Sequence, residues 1–295
     1  MSASFTTELA DIVCRFENYG PGTFCDSWKW KLDPYRCTYC DAGQYAVTFR
    51  NRRSEEVLPD IEGKVYEMQD GFFLRRVFAL SGGGTMWQYV RKKSGETMLS
   101  FAVDCKWSEI VLVEDHSVTA GQMAFEYLGH IFPACGLALD RLTFHGVLLE
   151  HNGYGLIISA PSGTGKTTHA RLWRDLKRAL IINGDRAACR KKDGIWTGFG
   201  IPWSGTSGEQ INRSVPIKAL VVLERGEENC AFQIKGQEAF GAVLPHVQCP
   251  AWDADLTGRM LGLMDDFLQN IPIIRLRCRP DGESVDVLAK AVEDL

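Results

Sequence analysis

The first 117 residues alternate short hydrophobic stretches with polar turn formers. Five stretches rich in β-branched and aromatic residues predict strands: YAVTFR, GFFLRRVFAL, TMWQYVRKK, MLSFAVD and EIVLVED. Glycine-rich and polar residues at 81–84, 93–96 and 104–107 separate the later ones. Closely spaced strands of this kind predict an antiparallel sheet or a small barrel.

The pattern changes at residue 119, where apolar residues begin to recur at helical spacing. This spacing extends to residue 142, through TAGQMAFEYLGHIFPACGLALDRL. Pro133 interrupts the stretch, and proline lacks the backbone N–H that a helix interior needs. We therefore predict two consecutive helical pieces that connect the two halves of the chain.

From Phe144 onwards, strands alternate with helices. Asn152-Gly153 lies between two apolar runs, which is the strongest short signal for a β-hairpin. Strands interleaved with helices predict an α/β domain around a largely buried sheet. The predicted organisation is a β-rich N-terminal domain at 1–117, a helical connector at 118–142 and an α/β domain at 143–295.

Residues 160–167, APSGTGKT, have the pattern of a phosphate-binding loop, with alanine at the first position where glycine is usual. Gly163 and Gly165 let backbone N–H groups turn towards an anion. Lys166 brings a cation to the outer phosphates, Thr167 is a candidate magnesium ligand, and the following helix adds the positive end of its dipole. The alternative is an ordinary glycine-rich turn between a strand and a helix.

The nucleotide-binding residues predicted from this motif lie consecutively along the loop and the start of the helix. They are Ser162, Gly163, Thr164, Gly165, Lys166, Thr167 and Thr168.

Phosphoryl transfer requires a metal clamp and a group that orients the attacking oxygen, in addition to a phosphate loop. The strand ALIING that follows the loop is succeeded by Asp185, which can bind magnesium or accept a proton from an alcohol. If Asn152 and Gly153 form the hairpin turn, His145 pairs opposite Ala160 at the mouth of the loop. The alternatives are an aspartate that merely ends a strand and a histidine that is a satisfied polar group.

At these residues the sequence resembles the kinase domain of HPr kinase/phosphorylase, whose nucleotide site has the same fold as that of phosphoenolpyruvate carboxykinase. The resemblance runs through FHGVLLEHNGYGLIISAPSGTGKTT to LIINGD and covers roughly residues 142–224. It is greatest to divergent HPr-kinase-like proteins of bacteria, some of which modify serine on peptides or act on free serine. The implied fold class is α/β, a P-loop domain of the HPr-kinase/PEP-carboxykinase kind.

The resemblance implies a role for each matching residue. Lys166 would hold the outer phosphates of ATP, and Thr167 and Asp185 would bind Mg²⁺. Asp185 would also act as the general base on a serine-type hydroxyl, with His145 beside it. The family has a second acid where this chain has Arg186, and the stretch associated with its phosphate-removing reaction is missing from this sequence.

The function predicted from these residues is an ATP-dependent kinase that phosphorylates a serine-type hydroxyl on a protein, peptide or small molecule. Arg186 keeps open a second function, a nucleotide-binding regulatory protein with little or no transferase activity. A carboxykinase is disfavoured because that family has longer chains and additional metal-binding lysine and histidine motifs that we do not find here.

The stretch GIPWSGTSGEQINR at 200–213 is rich in glycine, serine and threonine. It is interpreted either as a lid or substrate loop in which Arg213 meets phosphate, or as an ordinary surface connection. Arg275 and Arg277 are interpreted as one face of an edge strand rather than as catalytic groups.

Composition and charge set the expectations about location and partners. The net charge of −4, with 45% hydrophobic and 24% charged residues, is typical of a soluble globular protein and disfavours a nucleic-acid surface. The sequence has no membrane-length apolar run and no pattern of a secretory signal, so we expect a cytoplasmic protein with no membrane partner. A homo-oligomer remains open.

Ten cysteines are scattered along the chain. Without an export signal they are expected to be reduced thiols. The alternative is a structural metal site at Cys25, Cys37 and Cys40, for which Cys14 is the only loose candidate for a fourth ligand.

Overall fold

The computed structural model is a mixed α/β protein with two large sheets. It describes residues 4–17, 26–37, 46–116 and 121–295. The chain divides into two compact units, one formed by residues 1–138 with 251–253 and the other by residues 139–250 with 254–295. Within the described residues, no helix is both long and apolar enough to cross a membrane.

Among its described residues, the first unit contains eight strands and two α-helices. In chain order they are β1 (Phe5–Leu9), β2 (Ile12–Glu17), α1 (Asp26–Leu32), β3 (Val47–Asn51), β4 (Ile61–Asp70), β5 (Phe73–Leu80), β6 (Thr85–Arg91), β7 (Thr97–Val103), β8 (Glu109–Asp115) and α2 (Gln122–Ala138).

These strands form one sheet in the order β1-β2-β3-β8-β7-β6-β5-β4. The five strands predicted from the sequence are present as β3 and β5–β8, but the prediction of an antiparallel sheet or small barrel is wrong. β3 pairs in parallel with both β2 and β8. Parallel neighbours need a long crossover, and the 29 residues between Glu17 and Val47 that include α1 provide one.

Aromatic side chains fill the core of this unit. Phe16 stacks on Phe49, and Trp87 contacts Trp107 and Trp252 edge-on. Large rings bury the most apolar area per residue, so these contacts account for much of the stabilisation of this sheet.

The predicted break at Pro133 is wrong, because α2 is a single 17-residue helix with Pro133 in its interior. Proline removes one helical hydrogen bond and is normally costly there. In this helix Leu128, Phe132 and Leu137 are fully buried around the proline. Their burial stabilises the continuous helix and offsets the lost bond.

The second unit contains the remaining strands and helices. They are β9 (Leu142–His151), β10 (Tyr154–Ser159), α3 (Lys166–Lys177), β11 (Leu180–Asn183), β12 (Arg186–Lys192), β13 (Ile195–Phe199), β14 (Ser214–Arg225), β15 (Cys230–Ile234), α4 (Gly236–Val243), α5 (Ala254–Asn270), β16 (Ile273–Cys278) and α6 (Gly282–Glu293).

The predicted hairpin is present, with Asn152 and Gly153 both at positive φ and Tyr154 paired with His151. β10 also pairs in parallel with β14, and β14 pairs in parallel with β16. β11 is antiparallel to β9, which makes it parallel to β10. The carboxyl ends of β10, β11, β14 and β16 therefore lie along one edge of the sheet, where ligands bind in open α/β sheets.

β12 and β13 form a hairpin that joins the first part of β9 to the first part of β14. The sequence analysis missed both strands and also β15, which pairs with β16. Because β16 lies between β14 and β15, the interpretation of Arg275 and Arg277 as part of an edge strand is wrong. Both arginines instead pair with Glu224.

Candidate functional site

The predicted phosphate loop lies between a buried strand and a helix, as its motif requires. β10 ends at Ser159, and α3 begins at Lys166 with Gly165 before it. Gly163 and Gly165 adopt φ values of 77° and 119°, which residues with a Cβ rarely occupy. The local fold therefore depends on glycine at both positions.

The N-terminal end of α3 is electrostatically suited to an anion. It has no acidic residue in its first turn, and Gly165 provides no side chain to cap its N–H groups. Twelve aligned peptide units place a partial positive charge at this end. A phosphate group is the kind of ligand that satisfies both the free donors and the dipole.

Lys166 is buried, and its Nζ donates to the carbonyl oxygens of Ala160 at 2.8 Å and Pro161 at 3.4 Å. Burial lowers the pKa of Lys166, and the nearby carboxylate of Asp185 opposes this effect. The cation of the loop and the candidate base therefore act on each other electrostatically.

Asn183 fixes the turn that presents Asp185. Its buried amide donates to the carbonyl oxygens of Ile201 at 2.8 Å and Trp203 at 3.2 Å. Its Oδ1 accepts from the backbone N–H groups of Asp185 at 3.0 Å and Arg186 at 2.8 Å. One side chain thus uses its donors and its acceptor to join β11, the turn and the 200–213 loop.

His145 lies beside Asp185, with 3.4 Å between Nδ1 and Oδ1. The hairpin register that predicted its position extends to Gly146 opposite Ser159, and Ser159 Oγ donates to the His145 carbonyl oxygen at 2.7 Å. Burial and the charge of Lys166 lower the pKa of His145, although Asp185 opposes them. These effects favour the neutral form of the imidazole.

Arg186 follows Asp185, at the position where the resemblance described above implied a second acid. Its Nε lies 3.6 Å from Asp185 Oδ2, and the residue is buried. Asp185 is therefore the carboxylate of this turn, and it lies close to both the Arg186 guanidinium and the His145 imidazole.

The 200–213 loop packs directly on Asp185. A Cβ added to Gly205 would lie 2.7 Å from Asp185 Cγ, and one added to Gly184 would lie 2.0 Å from Ser207 Oγ. These contacts place part of this stretch against the candidate base. The expectation that Arg213 meets phosphate is wrong, because Arg213 pairs with Glu150, five positions along β9 from His145.

Two residues near the site were missed by the sequence analysis. Arg225 ends β14, and its guanidinium donates to the carbonyl oxygens of Gly163 at 2.5 Å and Thr164 at 3.5 Å. His246 is buried, and its burial, followed by the charge of Lys166 and the nearby His145 ring, lowers its pKa. Tertiary contacts bring both residues to the site, and for His246 one such contact is the backbone bridge between Phe144 and Val247.

Metal binding is limited by the number of acidic ligands. The described part of the chain contains no cluster of three or more histidine, cysteine, aspartate or glutamate residues suited to a metal. Magnesium is commonly held by one or two carboxylates together with substrate phosphates. Asp185 with Thr167 fits that pattern. Cys25 and Cys40 of the alternative structural metal site lie outside the described residues, and Cys37 is a free thiol.

No family model matches the sequence, and no curated protein matches it. Among solved structures, the chain is similar to the Hpr(Ser) kinase/phosphatase from Coxiella burnetii. That match has 13% identity and a TM-score of 0.31, and it covers 52% of this chain and 88% of the other. The similarity is distant and at the level of the fold alone, and no functional assignment follows from it.

Proposed function

We propose that this protein is an ATP-dependent kinase of the HPr-kinase-like type, acting on a serine-type hydroxyl of a protein, peptide or small molecule. The observation that carries the proposal is the grouping at one sheet edge of Lys166, Asp185 and His145. The 3.4 Å between His145 and Asp185, and the effect of Asp185 on the pKa of Lys166, support a common pocket.

In the proposed reaction, the hydroxyl oxygen of the acceptor attacks the γ-phosphorus of ATP. Asp185 accepts the hydroxyl proton, the bond between the γ-phosphorus and its bridging oxygen breaks, and ADP leaves. Lys166 and the N–H groups at the start of α3 stabilise the negative charge on the transferring group. His145, whose Nδ1 lies 3.4 Å from Oδ1, orients the Asp185 carboxylate.

Thr167 and Asp185 would hold Mg²⁺, which supplies charge neutralisation at the β- and γ-phosphate oxygens when bound. Because Arg186 provides no second carboxylate, this site fits one metal ion better than two. The remaining ligands would come from the phosphates and water.

The experiment is to incubate the protein with γ-labelled ATP, Mg²⁺ and candidate acceptors: HPr, serine peptides and free serine. We expect label on the hydroxyl of one acceptor class, dependent on Mg²⁺. ATP binding with no transfer to any of them would count against the kinase proposal.

The second candidate is a nucleotide-binding regulatory protein without transferase activity. Arg186 favours it, because a buried cation 3.6 Å from Asp185 weakens that carboxylate as a metal ligand and as a base. If Arg186→Asp raises transfer or Mg²⁺ affinity from an undetectable level, the natural protein is the regulatory form.

A further inference from the structure

The turn at residues 204–207 brings hydroxyl side chains of this chain to the candidate base. Gly205 lies against the Asp185 carboxylate, because a Cβ added to it would lie 2.9 Å from Oδ2. The other residues of the turn are serine at 204, threonine at 206 and serine at 207. Consecutive Cα atoms are about 3.8 Å apart, so both neighbours of Gly205 begin within one peptide unit of the carboxylate contact. The chain therefore carries its own serine-type hydroxyls where the proposed acceptor must meet Asp185.

Two of these hydroxyls are used by the turn itself. Ser204 is buried, and its Oγ donates to Gln210 Oε1 at 2.9 Å. Ser207 Oγ donates to the Ser204 carbonyl oxygen at 2.7 Å and accepts from the Glu209 N–H at 3.2 Å. These bonds would have to break before either oxygen could attack a phosphate, and breaking them costs free energy.

Thr206 has the hydroxyl that the turn does not use. Its side chain is exposed, and within the described residues its hydroxyl has no hydrogen-bond partner. It can therefore rotate between its staggered χ1 positions without losing a contact. Because Thr206 directly follows Gly205, it is the available nucleophile beside Asp185.

Asn183 holds this turn in place relative to the candidate base. Its amide donates to the carbonyl oxygen of Trp203 at 3.2 Å, on one side of the turn. On the other side, Asn183 and Gln210 form an antiparallel backbone bridge. Since Asn183 also fixes the Asp185 backbone, the hydroxyl and the carboxylate are attached to the same anchor.

We infer that Thr206 is an autophosphorylation site. Its Oγ1 attacks the γ-phosphorus of ATP bound to the same chain, and Asp185 accepts the hydroxyl proton. The bond between the γ-phosphorus and its bridging oxygen breaks, ADP leaves, and the product is a phosphothreonine. The inference rests on the proposed function and deepens it by naming one protein hydroxyl as an acceptor. Holding that hydroxyl beside the base makes the reaction intramolecular, which favours it over an encounter in solution.

The test is to incubate the full chain alone with γ-labelled ATP and Mg²⁺, and to locate the label by peptide mapping with mass spectrometry. We expect label at Thr206, at an initial rate per chain that does not change with protein concentration. Thr206→Ala should lose this label, and Thr206→Ser should keep it as phosphoserine. Ser214→Ala, at an exposed hydroxyl where β14 begins, should be labelled like the parent. Thr206 is exposed and unpartnered in the described residues, so its variants should fold.

A mixture of the parent with a tagged Asp185→Asn chain distinguishes transfer within a chain from transfer between chains. We expect label on the parent and none on the tagged chain, because the tagged chain lacks the base beside its own Thr206. Label at Thr206 of the tagged chain would contradict the inference.

Label on an added acceptor with none at residue 206 would overturn the inference and leave the proposed function intact. Self-labelling that survives Thr206→Ala would also overturn it, because another residue would then be the acceptor. Failure of the proposed function gives a different result, in which the parent binds Mg-ATP but labels neither itself nor any added acceptor. That result would overturn both.

Discussion

Asn183 shows how one residue can determine the geometry of the candidate site. Its amide makes four hydrogen bonds, two to the carbonyl oxygens of the 200–213 loop and two from the N–H groups of the Asp185 turn. An alanine here leaves several buried backbone groups without partners. The side chain at this position therefore contributes both to stability and to the orientation of the Asp185 carboxylate.

We expect Asn183→Ala to lower the free energy of unfolding by about 2–5 kcal/mol and to reduce phosphoryl transfer. Denaturant unfolding measures the first effect. Asn270→Ala, at an exposed asparagine on the end of α5, should cost less than about 0.5 kcal/mol. Similar losses in the two variants would show that the buried amide has no special role.

Glu56 provides a pH-dependent contribution to the stability of the first unit. Its carboxylate pairs with the buried guanidinium of Arg50 at 2.6 Å, and this contact lowers its pKa from 4.5 to about 2. The unfolded chain binds the proton more readily, so this stabilisation is complete above about pH 4.5 and is lost as the pH falls to about 2.

Glu56→Gln should therefore destabilise the protein by about 1 kcal/mol at pH 7, allowing for solvent screening of a partly exposed pair. The difference from the parent should shrink steadily between pH 4.5 and pH 2. Urea unfolding at several pH values tests this, with Glu55→Gln at the exposed neighbour as control. A difference that does not change with pH would contradict the assignment.

Residue-level inference from sequence succeeded where a local rule linked position to chemistry. The hairpin register located His145, because pairing partners in a two-residue hairpin follow from counting. Gly205, Arg225 and His246 follow no such rule. They reach the site from segments 20 to 100 residues away, through contacts that depend on the complete fold.

At the scale of elements, the most important contact of the 200–213 loop is the one that Gly205 makes with Asp185. Gly205 and Gly208 both have positive φ, but only at Gly205 would a Cβ meet the carboxyl group, and at Gly208 it would meet nothing within 4 Å. Substitutions at the two glycines therefore distinguish the effect of backbone strain from the effect of displacing the Asp185 carboxylate.

Gly208→Ala should cost about 1 kcal/mol of stability through its backbone alone. Gly205→Ala should in addition displace Asp185 and lower the transfer rate about 100-fold, as a shift of about 1 Å does in a preorganised site. Thermal unfolding and the rate with labelled ATP measure the two effects. Equal rates in both variants would show that the loop does not control Asp185.

Element prediction failed where tertiary packing outweighed local propensity. Pro133 did not end α2, because the apolar side chains on both sides of it are buried. The strand β12 begins with Arg186 and ends in RKK, a pattern with too little alternation to indicate a strand. It forms because β9 and β13 provide its hydrogen bonds.

At the scale of the whole molecule, ligand binding should raise stability, since a ligand that binds only the folded state shifts the unfolding equilibrium. At a concentration about 100 times its dissociation constant, Mg-ATP should add about 2.7 kcal/mol to the free energy of unfolding. Lys166→Ala should abolish this gain, and Lys191→Ala, at a surface ion pair with Asp266, should retain it. A gain that survives in Lys166→Ala would place the nucleotide elsewhere.

The mixed α/β class was predictable from the alternation of elements, and the strand, loop and helix around residues 160–167 from the motif. The order of the strands was not, because β9 and β14 each pair with several partners along their length. No local pattern specifies which segment of a long strand meets which neighbour.

The measurement that tests the central claim most directly compares Asp185→Asn with the parent protein in ATP affinity and in phosphoryl transfer. Asparagine has the size of aspartate but cannot take the proton of the acceptor. We expect a transfer rate reduced at least about 100-fold and a much smaller loss of ATP affinity, from the one missing Mg²⁺ ligand. Transfer at the parental rate, or equal loss of binding and transfer, would contradict it.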